Sequence, residues 1–295
     1  MQRKTSLADV LELYLLDCAA RNLTQSTQTF YKSKLDVFIT WCTDHGVTDL
    51  EALTPHDIRR YLVDARGRGL SSQYQNNLAR AIRAFLNYAV RDGLLEKSPM
   101  SNVKMPKIKN KILSAYTDEE LGAILDSCET QRDTALLLLL LDSGVRASEL
   151  ISLNVGHVDL YSGTVTVEDG KGQKGRVTHI GAKTRKAVLR YLLERGKPAD
   201  NEPLFVGQKR GGRLTLSGIV QLMRRLAAKS EVEEVTAHKF RRTMAITSLR
   251  NGMNVHVLAR ILGHADIGIL RQYLDIVESD TADAHRKAGP VDNMT

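Results

Sequence analysis

Residues 237–273 read AHKFRRTMAITSLRNGMNVHVLARILGHADIGILRQY, from Ala237 to Tyr273. His238-Lys239-Phe240-Arg241 sets His238 and Arg241 three residues apart, which on a helix is one face. Together they can reach one phosphate, the imidazole passing a proton while the guanidinium holds charge. Leu262-Gly263-His264 follows, with Gly263 reading as the C-terminal cap of a helix from about Asn254. Asp266 reads as the N-cap of a further helix, which carries Tyr273 nine residues after His264. Each feature is weak alone. H-x-x-R is common by chance, and a tyrosine on an amphipathic helix is usually a packing residue.

Two segments upstream supply related chemistry. Ser143-Gly144-Val145-Arg146-Ala147-Ser148-Glu149-Leu150 puts Arg146 just after a glycine stop, where a new helix begins near Ala147. A guanidinium there can hold phosphate oxygens in a bidentate way. Thr164 to Glu168 and Arg176 to Ile180 read as two strands of a β-hairpin. Its Gly-rich tip offers Lys171 and Lys174 to a ligand.

The first hundred residues carry helical apolar periodicity. Leu7, Val10, Leu11, Tyr14 and Leu15 form one stripe, and Tyr31, Leu35, Phe38 and Ile39 another. Thr54-Pro55-His56-Asp57 is a helix start. A helix from Ser71 or Ser72 buries Leu78, Ile82, Phe85 and Leu86 and turns Arg80, Arg83 and Arg91 outward. The stretch around Val103 to Lys111 has no helical period and many lysines, a linker signal. Thr117-Asp118-Glu119-Glu120 is a capping box, and Ala135 to Leu141 reads as a helix buried on all sides. The fold expected is mainly α with a small antiparallel β-sheet, in two domains. Residues 1–102 would form a helical domain, 103–112 a basic linker and 113–295 a second domain.

Composition narrows the function. The net charge of +8 favours a polyanionic partner, since lysines and arginines that neutralise phosphates release counterions. Cys18, Cys42 and Cys128 are odd in number and widely spaced, against a disulfide framework or a zinc site. No secretory signal and no apolar run of membrane-spanning length is visible, so a cytoplasmic, nucleoid-associated protein is expected.

Taken together, Arg146, the hairpin lysine, His238-x-x-Arg241, Gly263-His264 and Tyr273 resemble the tyrosine recombinase (phage integrase) family. The resemblance covers Leu113 to about Val277 by motif and extends more loosely to the N-terminal helices, which implies a core-DNA-binding domain at residues 1–102 and a catalytic domain with a C-terminal oligomerisation tail at residues 113–295. It implies that Arg146 and Arg241 hold the scissile phosphate and that Lys171, the first lysine of the G-K-G turn, with Lys174 as the alternative, protonates the leaving 5′-oxygen. It further implies that His238 assists proton transfer, that His264 hydrogen-bonds the phosphate, and that Tyr273 attacks to form a 3′-phosphotyrosyl bond. Two arginines and two histidines can supply the charge stabilisation that Mg²⁺ supplies elsewhere, so neither cofactor nor metal is expected. The implied partners are double-stranded DNA carrying a specific recombination site and a homotetramer on two such sites, with no membrane. Ile269-Leu270 stand where many members have Thr-Thr, and the residues after Tyr273 look like those of mobile-element integrases. With no arm-binding domain ahead of Ser6, an arm-less integrase or transposon recombinase is the branch expected, an Xer-like recombinase the neighbouring one. The rival readings are a type IB topoisomerase, a non-catalytic DNA-binding regulator and a metal-dependent nuclease.

Overall fold

The computed structural model describes residues 5–108, 114–168, 175–207 and 211–263. The chain divides into two compact units, Met1–Lys111 and Ile112–Thr295.

The first unit holds α1 (Leu7–Ala20), α2 (Gln25–Asp44), α3 (Pro55–Gly67) and α4 (Ser72–Arg91). Side-chain caps start them: Ser6, Thr24, Thr54 and Ser71 each accept a backbone N–H of the first turn, and Thr54 with Asp57 completes a capping box. α4 touches the other three helices. It can do so because Ala79, Ala81 and Ala89 alternate with Leu78, Ile82, Phe85 and Leu86 on its buried faces. Arg80 and Arg83 face solvent as expected, and Arg91 pairs with Asp17 at 2.8 Å. The start of the stretch read as a linker lies on this unit: Val103 is buried in its core, Met105 packs against it, and Asn76 donates to the Pro106 carbonyl at 2.9 Å.

The second unit runs α5 (Asp118–Asp126), α6 (Gln131–Ser143), α7 (Ala147–Ser152), β1 (Val158–Asp159), β2 (Thr164–Val167), β3 (Arg176–His179), α8 (Ala182–Glu194), α9 (Leu216–Ser230), α10 (Ala237–Arg250) and α11 (Val255–Leu262). α6 is its axis, packed on α8, α10 and β3. The leucine run is less enclosed than the sequence suggests. Leu136, Leu137, Leu139 and Leu140 are buried, while Leu138 and Leu141 line a groove beside α5, α8 and α10. The sheet is antiparallel in the order β1-β2-β3, with Val165 opposite Thr178. β1 escapes a sequence reading because two residues carry no period.

Polar ties lock α6 to its surroundings. Thr178 on β3 donates to the Ser143 carbonyl at 2.9 Å. Asp142 accepts from the Gly181 N–H at 2.6 Å and the Thr184 hydroxyl at 2.7 Å, which holds the start of α8. Asp133 is fully buried between Arg132 and Arg225, which fastens α6 to α9. A buried carboxylate is tolerated only with such partners. Among the described residues no helix is long and apolar enough to cross a membrane.

Candidate active site

The site grows from the end of α6. Gly144 ends that helix in the left-handed region, φ 63°. A Cβ there would lie 2.9 Å from the Leu262 Cδ2 and 3.1 Å from the Met244 Sδ. Only glycine lets the chain turn here with α10 and α11 pressed against it. Arg146 follows at the N-cap of α7, with its side chain 44% exposed. Its backbone N–H and its Nη1 both donate to the Glu149 carboxylate, each at 2.7 Å.

α10 brings the second cation. Thr236 caps it by accepting the Lys239 N–H, and the Tyr116 phenol accepts the Thr236 N–H at 3.0 Å while donating to the Glu234 carbonyl at 2.9 Å. Lys239 is buried, with its ammonium 4.2 Å from the Tyr116 ring centre and 3.8 Å from Glu120. Two residues on, the buried Arg241 donates to the carbonyl of Gly144 and, at 2.6 Å, to that of Leu262. These carbonyls end α6 and α11, where helix dipoles leave partial negative charge, so the guanidinium sits where the backbone favours a cation. His238 keeps an accessible edge. Partial loss of water and then the guanidinium groups of Arg242 and Arg241 push its pKa below the ordinary histidine value. Arg146 adds to the same effect, and Glu234 opposes it.

β3 and α11 close the arrangement. Arg176 grips Glu149 with both Nη atoms, at 2.7 and 2.6 Å, and its Nε donates to the Ile261 carbonyl at 2.8 Å. Burial alone would raise the Glu149 carboxyl. The hydrogen bonds from Arg176 and from the Arg146 N–H reverse this and hold it at about 2. Gly263 caps α11 at φ 65°, and a Cβ on it would come within 2.8 Å of the Arg176 Cδ.

Of the six residues expected from the sequence, Arg146, His238 and Arg241 come together around Gly144 and the end of α11. Lys171, His264 and Tyr273 lie outside the described residues, as do Lys174 and Asp266. The described chain reaches the neighbours of two of them, Gly175 after the hairpin tip and Gly263 before His264. Sequence reasoning assigned no role to Glu149 and Arg176. The available signal for Glu149 was an acid three residues after an N-cap; nothing local distinguishes Arg176 from any strand arginine. Among the described residues no three His, Cys, Asp or Glu side chains gather in a possible metal site.

Residues 115–279 match the phage integrase family and residues 11–93 match the phage integrase N-terminal SAM-like domain. The chain therefore belongs to the phage integrase family, with the two-domain architecture of the tyrosine recombinases, enzymes of site-specific recombination. Tyrosine recombinase XerC of Pseudomonas putida KT2440 is 30% identical over 278 residues, 92% of each chain. XerC of Bacillus subtilis strain 168 is 30% identical, covering 87% of this chain and 88% of its own. Among solved structures, the Tn1549 transposon integrase with circular intermediate DNA superposes with a TM-score of 0.77 at 18% identity, over 95% of this chain and 100% of that one. The XerH recombinase on a palindromic difH substrate gives 0.73 at 23% identity, over 95% and 84%.

Proposed function

We propose that the chain cuts and rejoins double-stranded DNA at a specific recombination site through a 3′-phosphotyrosyl bond to Tyr273, using neither metal nor ATP. The observation that carries this reading is the meeting of Arg146, His238 and Arg241 at the junction of α6, α10 and α11. A phosphodiester carries negative charge that repels a nucleophile, so phosphoryl transfer depends on positioned cations. Arg146 and Arg241 hold the non-bridging oxygens, and His264 adds a hydrogen bond. The Tyr273 oxygen forms a bond to phosphorus as the bond to the 5′-oxygen breaks. Lys171 gives that oxygen its proton. His238, whose pKa burial and the neighbouring guanidinium groups lower, can take the phenol proton. The phosphotyrosine conserves the energy of the bond it replaces, and the 5′-hydroxyl of a second strand reverses the step. Two sites held by a homotetramer exchange strands through a four-way junction.

The assembly acts in the cytoplasm, and the exchange integrates and excises a mobile element; Ile269-Leu270 and the residues after Tyr273 support this setting. A second setting, resolution of chromosome dimers, is favoured by the XerC relatives that match along most of the chain.

Covalent trapping tests the proposal. The protein is mixed in EDTA with nicked duplexes of random sequence, denatured with detergent, and the attached DNA sequenced. The expected result is an adduct that survives EDTA, is lost in Tyr273→Phe and carries one site. An adduct in Tyr273→Phe would assign the attack to another nucleophile, and full loss in EDTA would make the enzyme metal-dependent. A site at the ends of an element supports the first setting, and one found once per chromosome the second.

A further inference from the structure

Arg176 is part-buried, and its guanidinium joins three segments far apart in sequence: its own strand β3, Glu149 on α7 and the Ile261 carbonyl at the end of α11. The fork-on-fork contact with Glu149 is the geometry that a guanidinium makes and an ammonium does not. Glu149 in turn receives the N–H and the side chain of Arg146. Gly263 leaves open the space that the Arg176 side chain occupies. One side chain thus lies against the strand that follows the hairpin tip, the partner of Arg146, and the helix end that precedes His264.

We propose that Arg176 is a positioning residue for strand cleavage, holding Glu149 where it orients Arg146 and fixing the end of α11 against the hairpin strand. This rests on the recombinase reading. Arg176 acts through Glu149 and the backbone, so its loss affects the chemical step and leaves DNA affinity in place. The neighbouring elements present Arg146 at the α7 cap, His179 on β3, His238 and Arg241 on α10, and Arg260 on α11. Arg176 is the one that neutralises Glu149 by two parallel hydrogen bonds. Without it, burial drives the carboxyl upward against fewer opposing contacts.

The test uses the full chain with Arg176→Met, Arg176→Lys and Arg176→Met/Glu149→Gln. Single-turnover cleavage is followed on the duplex recovered by trapping, and the Glu149 carboxyl is titrated by carbon NMR without DNA. Arg176→Met is expected to cleave about 10²-fold more slowly, the scale of an ångström-sized misplacement, with DNA affinity within a few-fold of wild type. Arg176→Lys should recover part of the rate. Beside the His238 acid limb that it shares with the wild type, the Met variant should gain a further loss of cleavage at acid pH that the double variant abolishes, and its Glu149 should titrate well above the wild-type value. A Met variant that binds and cleaves within a few-fold of wild type overturns the proposal. If the Met variant fails to fold, a Lys variant with wild-type cleavage overturns it equally. If the wild type forms no adduct, the recombinase reading fails instead, and an unchanged Glu149 titration would then overturn the Arg176–Glu149 link by itself.

Discussion

Arg146 and Arg241 are assigned the same phosphate, yet their structural burdens differ, and replacing each by alanine should separate them. Arg241 is buried and satisfies two buried carbonyls, those of Gly144 and Leu262. Each acceptor stranded by Arg241→Ala costs about 1–3 kcal/mol, so a net loss of about 3 kcal/mol is a conservative sum. In a unit the size of Ile112–Thr295 each kcal/mol moves the midpoint by about 2–4 °C, which gives a fall of roughly 6–12 °C. Arg146 is 44% exposed, and its partner Glu149 keeps Arg176. Arg146→Ala should therefore cost at most about 1 kcal/mol, the range of an exposed ion pair. Cleavage should fall by about 10²–10³-fold or more in both, since each removes a cation from the transition state. Thermal unfolding of the DNA-free proteins by circular dichroism, beside single-turnover cleavage, reads both quantities. Equal shifts in midpoint, or an Arg241→Ala protein as stable as wild type, would refute the bridging role given to Arg241.

Further expectations are open to measurement. Gly144→Ala should lose about 1–2 kcal/mol from its left-handed backbone alone, and more from the contact with Leu262, seen as a lower urea midpoint at an unchanged m-value. Glu149, held at about 2 against a usual 4.5, contributes stability that is complete above pH 4.5 and disappears as pH falls toward 2. The full span corresponds to about 3 kcal/mol, and Glu149→Gln should flatten that part of the stability–pH curve. Arg242→Ser removes the cation that, after desolvation, most depresses His238, so the His238 ring protons should titrate at higher pH by NMR. The acid limb of cleavage should move up with it.

The secondary structure was largely a local matter, which is why so much of it was legible. The capping boxes at Thr54 and Thr117, the glycine stops at Gly144 and Gly263 and the apolar stripe of α4 all act within one or two helical turns. His238 and Arg241 were legible for the same reason, because their spacing places them on one helical face. What α10 would be pressed against was not a local matter. Arg241 reaches Gly144 across 97 residues and Leu262 across 21, and Arg176 reaches Ile261 across 85. No window of sequence carries that information, since the partners are main-chain carbonyls that every residue possesses. The sequence by itself determined the described helices, the paired strands β2 and β3, and the presence of Arg146 at the cap of α7 and of His238 and Arg241 on α10. Only the tertiary structure decided that Arg241 spans two helix ends and that Arg176 and Glu149 stand behind Arg146, because those contacts exist only once α6, β3, α10 and α11 have packed.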